Sequence, residues 1–234
     1  MLFNILIHEE VKEQTIKIPE KPKYQVLFFQ GCMNKYINSS QKNALLKVMY
    51  DNNVEVEVGD FTCCGRLYYL LGKEKEYSKI VEKNKNIIDN SKYDYIIFDC
   101  ATCYDTVLNY ENIDTSKIIM AEDFLSKLDI KNKNNESVTY FKPCLLKNSP
   151  KILEQFNYIE SKNDKNCCGM SIPFSIFNKK LSDDLSKDSA DELLKTKANY
   201  ILTSCSLCKI GIYKALINKK TDKQILSLME LLNR

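Results

Sequence analysis

Residues 93–103 read "YDYIIFDCATC" and residues 198–208 read "ANYILTSCSLC". Each is a short apolar run of strand type that ends in a Cys-x-x-Cys pair. Such runs fit strands buried on both faces, as in a parallel sheet covered by helices. Two further matched pairs precede them. "VLFFQGC" (26–32) corresponds to "VTYFKPC" (138–144), and "TCCGR" (62–66) to "NCCGM" (166–170). In the first half 30 residues separate Cys32 from the pair Cys63–Cys64, and 35 separate Cys64 from Cys100 and Cys103. In the second half 22 separate Cys144 from Cys167–Cys168, and 36 separate Cys168 from Cys205 and Cys208. Corresponding cysteines lie 112 residues apart at the first position and 105 at the last, mostly because the segment before the second Cys pair is shorter. All ten cysteines fall into these two quintets, so the chain is an internal duplication.

The segments between the cysteines alternate in period. Strands are expected at 24–29, 54–58 and 93–99. Helices are expected within 37–52, with Ser39 or Ser40 as cap, over 73–89, and from Tyr104. "KIIMAEDFLSKL" (117–128) adds a strand or turn and a helix. The second half repeats the order, with strands at 138–142, near 158–160 and at 199–203. Its helices are expected from about Ser149–Pro150, around 183–197, and on to about 217. Alternation of this kind predicts an α/β protein with parallel sheets and right-handed crossovers. The expected divisions are an arm or linker over 1–23, a first lobe over 24–130, a polar linker "KNKNNES" over 131–137 and a second lobe over 138–234. Each cysteine group follows a strand, so the five thiols of a half can meet at one sheet edge, where ligands bind in such folds.

Composition narrows the function. The 234 residues are 44% hydrophobic and 28% charged, ordinary for a globular protein, and the net charge of +3 is dispersed. No basic block points to nucleic acid. "MLFNILIHEE" (1–10) is apolar but short, lacks a basic leader and runs into two glutamates; neither a signal peptide nor a membrane span is expected. In a reducing cytosol, thiolate–metal chemistry is the leading use for ten cysteines, against buried thiols acting as small hydrophobes. Zinc takes four ligands, and an ordinary iron–sulfur cubane also takes four cysteines, so either leaves one thiol of each quintet idle. A redox dithiol accounts for Cys100 and Cys103 alone. Vicinal thiols point in divergent directions, which suits the atoms of a larger inorganic core. Gly65 and Gly169 would let the backbone turn close past it. Cluster binding therefore leads, with structural zinc retained as the alternative.

The repeated C-x(n)-CCG-x(n)-C-x-x-C pattern resembles the cysteine-rich CCG domain family. That family includes a cysteine-rich subunit of heterodisulfide reductase, iron–sulfur subunits of glycolate and lactate oxidases, and a subunit of some methylmenaquinol:fumarate reductases. The resemblance covers residues 24 to about 232 and implies two tandem Rossmann-like lobes related by a pseudo-twofold. It implies that Cys32, Cys63, Cys64, Cys100 and Cys103 hold one 4Fe–4S cluster, cubane or noncubane. Cys144, Cys167, Cys168, Cys205 and Cys208 would hold the other. The short second spacer should trim one helix and alter exposure of the second cluster. The single histidine, His8, lies outside both motifs.

The resemblance, with no Gly-rich dinucleotide fingerprint at the first strand, implies an electron-transfer component rather than a complete enzyme. Its expected partners are a flavin-containing dehydrogenase subunit of lactate or glycolate oxidase type and other iron–sulfur subunits. Its expected place is the cytoplasm, or the inner face of the membrane through partners. The alternative is a heterodisulfide- or quinone-facing subunit whose clusters meet substrate directly. Arg66, Lys142, Lys147 and Lys209 flank the cysteines as charge partners or solvated surface. Tyr68, Tyr69, Phe174 and Phe177 are shields or core, and Asp99 and Asp105 bracket the first Cys-x-x-Cys as proton carriers or turn residues.

Overall fold

The computed structural model describes residues 19–128, 130, 136–162, 167–217 and 219–234. His8 and most of the expected arm and linker lie outside the described residues.

The first half runs β1 (Tyr24–Phe29), α1 (Cys32–Tyr36), α2 (Ser39–Asp51), β2 (Val54–Val58), α3 (Arg66–Leu70) and α4 (Glu74–Asp89). It continues with β3 (Tyr95–Phe98), α5 (Ala101–Leu108), β4 (Ile118–Met120) and α6 (Ala121–Leu125). The second half runs β5 (Ser137–Tyr140), a 3-10 turn (Lys151–Gln155), β6 (Asn157–Tyr158), α7 (Phe174–Phe177) and α8 (Lys179–Leu194). Then follow β7 (Tyr200–Leu202), α9 (Ser206–Ile217), β8 (Gln224–Leu226) and α10 (Leu228–Leu232). The sheets have the orders β2-β1-β3-β4 and β6-β5-β7-β8, with every neighbouring pair parallel. The two halves thus repeat one strand order, as the expected duplicated α/β fold requires.

Strand side chains alternate between two cores. Leu27, Phe29, Ile96 and Phe98 point to a core that also contains the buried cysteines of both halves. Val26, Phe28 and Ile97 point the other way, into a core shared with Val138, Tyr140 and Leu202 of the second half. Ala44, Leu45, Val48 and Met49 of α2, Phe124 and Leu125 of α6, and Leu228, Met229 and Leu231 of α10 fill that second core. The lobes therefore share hydrophobic packing, and each sheet is buried on both faces. No described helix is long and apolar enough to cross a membrane.

Three departures from the sequence reading affect the site. First, α5 starts at Ala101, inside the Cys-x-x-Cys, with Cys100 extended at its N-cap (φ −137°, ψ 115°). Small residues after the strand let the helix begin at once instead of at Tyr104. Second, the trimming expected from the short second spacer goes beyond a shortened helix: where the first half has α1 and the 13-residue α2, the second has one five-residue 3-10 turn. Third, Ser40 does not cap α2; its hydroxyl reaches Glu230 of α10 (3.2 Å), and Gln41 Nε2 donates to the Asp99 carbonyl (3.2 Å). The short α10 carries a capping box made by Ser227 and Glu230, whose S-x-x-E spacing stands in the sequence.

Candidate metal centre

Eight of the ten cysteines come within six residues of the carboxyl end of a strand, and Cys167 and Cys168 come nine and ten residues after β6. Cys32 opens α1 after β1, Cys63 and Cys64 follow β2, and Cys100 and Cys103 follow β3. Cys205 and Cys208 follow β7, and Cys144 follows β5. The thiols form a continuous string. Cys32 Sγ is 3.8 Å from Cys63 Sγ. Neighbouring thiols then influence one another's protonation in turn from Cys63 to Cys64, Cys103 and Cys100, and across the lobes to Cys205. From Cys205 the string runs on through Cys208 and Cys168 to Cys167. Thr102 Oγ1 also lies 3.5 Å from Cys205 Sγ at the crossing. Nine of the ten thiols belong to this string. Cys144 is exposed and feels Cys168 electrostatically. Among the described residues no three His, Cys, Asp or Glu side chains converge on one metal ion. The thiols follow one another as pairwise neighbours rather than gathering about one point.

The backbone around the vicinal pairs is held in matched ways. The Gly65 amide donates to Cys63 Sγ and the Gly169 amide to Cys167 Sγ, each at 3.4 Å. Both glycines have positive φ (82° and 71°), the left-handed conformation that lets the chain turn so the amide faces back. Their missing side chains make room for Tyr77 and for the Ser182 carbonyl respectively, not for the thiols. The glycine that opens space at the sulfurs is Gly31, where a Cβ would lie 2.7 Å from Cys103 Sγ.

The pair carbonyls are anchored by residues that the sequence reading did not single out. In the first lobe Asn84 Nδ2 donates to the Cys63 carbonyl (2.8 Å) and Tyr110 Oη to the Cys64 carbonyl (2.8 Å). In the second lobe Ser189, Ser186 and Ser182 of α8 donate to the carbonyls of Cys167 (3.0 Å), Cys168 (2.6 Å) and Gly169 (2.8 Å). Serines at i, i+4 and i+7 on a buried helix face were the available signal. Replacing Ser186 with Ala leaves a buried carbonyl unpaired and is expected to cost about 1–3 kcal/mol in denaturant unfolding. Ser78→Ala, whose hydroxyl bonds an exposed turn of α4, should change stability by less than about 0.5 kcal/mol. Equal effects would remove the anchoring role.

Burial and mutual hydrogen bonding split the thiols into two kinds. The neighbouring Cys32 thiol and then that of Cys64 bring Cys63 down to about 3. Cys103 and Cys205 do the same for Cys100, and Cys167 and Cys208 for Cys168, which falls to about 3. Their neighbours Cys32, Cys103, Cys167 and Cys208 are raised in return. Metal binding takes thiolates, so it would release the protons that the raised thiols hold. The N-termini of α5 and α9 add N–H groups beside Cys100 and Cys205.

The residues flanking the cysteines divide clearly. Arg66 pairs with Asp105 (2.7 Å), tying α3 to α5. Lys209 is buried rather than solvated, and binds both carboxylate oxygens of Glu230 at 2.7 and 2.6 Å. Lys147 lines a cleft between the lobes. Tyr68, Tyr69 and Phe177 are exposed, and the aromatic rings packed on the thiol core include Phe29, Phe61, Phe98, Tyr77 and Tyr110 instead. Asp99 is fully buried beside Cys100, and burial raises it well above the carboxylate range.

The family model described as a cysteine-rich domain, CCG, matches residues 26–107 and again residues 138–213. A fumarate reductase (CoM/CoB) subunit of Methanothermobacter marburgensis is 28% identical, over 92% of this chain and 47% of its own. An uncharacterized iron–sulfur protein of Methanococcus maripaludis is 22% identical, over 97% of this chain and 49% of its own. The chain therefore spans about half the length of these two relatives. Lactate utilization protein A of Oceanobacillus iheyensis is 24% identical, over 89% of this chain and 96% of its own.

Proposed function

The chain belongs to the CCG cysteine-rich domain family, and from that membership we propose that it is an iron–sulfur electron-transfer subunit of an oxidoreductase complex. The observation that carries the reading is the string of nine thiols in an apolar core, drawn from both quintets and joined at Cys100 and Cys205. The donor set fits such a group. Thiols that neighbour one another in succession suit the several atoms of a larger core better than a single ion, and five donors exceed what zinc or a simple cubane takes. Cys32, Cys63, Cys64, Cys100 and Cys103 would hold one cluster. Cys144, Cys167, Cys168, Cys205 and Cys208 would hold a second, and five ligands in each half favour the noncubane form. A bound cluster supplies one-electron redox chemistry.

The protein's own residues do the rest. Burial of Cys64, Cys100, Cys103, Cys205 and Cys208 keeps water from the sulfurs. Amides at Gly65 and Gly169 stabilise negative charge on the vicinal pairs. Likeness to a lactate utilization protein along nearly its full length favours a partner that bears flavin and oxidises a hydroxy acid, with further iron–sulfur subunits. One observation favours a second reading, in which the second site meets substrate or quinone directly: Cys144 is exposed, unlike its counterpart Cys32.

Anaerobic purification tests the proposal. A brown protein with about eight irons per chain and matching acid-labile sulfide is the expected result. A colourless protein holding zinc and no sulfide would overturn it.

A further inference from the structure

A cleft of about 850 Å³ runs between the lobes, bordered by α5, by β4 with α6, and by residues 145–151. Glu122, the second residue of α6, contributes to its wall yet is only 3% exposed. Its Oε2 has no hydrogen-bond partner, and among the described residues no cation pairs with it. Behind it stands Ser204, whose hydroxyl accepts from Tyr140 Oη (2.8 Å) and which directly precedes Cys205. The second lobe handles the same place differently. Its last helix also carries an acid, the half-buried Glu230, but Lys209 neutralises it. Lys209 follows Cys208 as Tyr104 follows Cys103, so the first lobe has a tyrosine where the second has the cation. One lobe fixes a permanent ion pair; the other leaves a carboxyl free to gain or lose a proton.

We propose that Glu122 is the charge-compensating residue of the thiol centre, taking up a proton through the inter-lobe cleft when the centre accepts an electron and returning it on oxidation. The proposal rests on the iron–sulfur reading above. An electron from the reduced flavin or iron–sulfur group of a partner adds one negative charge behind Ser204. The Glu122 carboxylate then forms one O–H bond with a proton from water in the cleft, and the bond breaks when the electron leaves. Burial holds Glu122 up at about 7, eased by the Ser204 hydroxyl and reinforced by Asp123 and Cys100. Asp99 at the end of β3 and Tyr140 of β5 face it as well, and Lys127 and Lys151 lie beyond Asp123. The sign follows. Below about pH 7 Glu122 already holds its proton and reduction needs none; above it, each electron must bring one in.

The test is a redox titration of the anaerobically purified, iron-loaded protein against pH, with infrared difference spectra of the reduced and oxidised forms. The midpoint potential should be flat below about pH 7 and fall with rising pH above it, and a protonated-carboxyl band should grow on reduction. Glu122→Gln should flatten the upper limb and remove the band while iron and sulfide content stay at the wild-type level. A wild-type potential independent of pH above 7 overturns the proposal even if the variant fails to fold. So does a fully loaded Glu122→Gln protein with the wild-type slope. A chain that binds no iron overturns the underlying reading, and the proposal with it.

Discussion

Cys100→Ser is expected to strip iron from both halves of the protein, whereas Cys144→Ser should lower only the second half's content, and by less. Cys100 is the junction of the thiol string. It is lowered by Cys103 within its own quintet and by Cys205 in the other, and it stands at the N-cap of α5. A serine oxygen sits closer to the backbone, ionises far less readily than a thiol and is a poor ligand for iron. The loss therefore removes a ligand from one quintet and the hydrogen-bonding neighbour of Cys205 from the other. Cys144 is exposed and stands outside the string, so its removal leaves the contacts among Cys167, Cys168, Cys205 and Cys208 in place. Iron and acid-labile sulfide, read beside the spectrum of each anaerobically purified variant, measure the difference. Total iron should fall by well over half in the first variant and by less than half in the second. Equal losses would mean that the two quintets load independently and that the contact between Cys100 and Cys205 is incidental.

That junction was not legible in the sequence. The ten cysteines, the two quintets and the strands that deliver them could all be read from spacing, because "YIIF" and its copy "YIL" are apolar runs that only a parallel sheet buries on both faces. The order of elements within each half followed from the same alternation. How the halves meet depends on side-chain placement across more than a hundred residues, as in the hydrogen bond from Ser206 to Asn34 (2.6 Å) or that from the Ala101 amide to the Ser204 carbonyl (2.7 Å). No local pattern encodes such contacts. Helix starts were missed by about three residues at α5 and four at α8, since small and polar residues at those points carry little periodic signal. Lys209 looked like surface in a lysine-rich chain and proved buried, because its partner Glu230 lies 21 residues away on another element. Ser182, Ser186 and Ser189 looked like ordinary polar helix residues until the Cys167–Gly169 carbonyls supplied their acceptors.

Alanine at three left-handed glycines should destabilise the chain in the order Gly72, Gly65, Gly169. All three have positive φ, at 64°, 82° and 71°, so each substitution carries a similar backbone penalty of about 1–2 kcal/mol. What a new Cβ would meet separates them. At Gly72 it meets nothing within 4 Å, so the backbone penalty is the whole effect. At Gly65 it falls 2.9 Å from the Tyr77 ring, a side chain that can shift, and the expected total is about 2–3 kcal/mol. At Gly169 it falls 2.3 Å from the Ser182 carbonyl oxygen, with Ser182 backbone carbons at 3.0 and 3.1 Å. Those atoms belong to the first turn of α8 and cannot yield without moving the helix. Moving α8 would also loosen the bonds from Ser182, Ser186 and Ser189 to the Cys167–Gly169 backbone, so about 4 kcal/mol or more is expected. Denaturant unfolding of the metal-free chains gives the stability order, and iron loading gives its functional counterpart: Gly169→Ala should lose second-half iron, and Gly72→Ala none. Matching stability losses at Gly72 and Gly169 would show that α8 does not press on the second Cys pair, and that the serine anchors do not hold it in place.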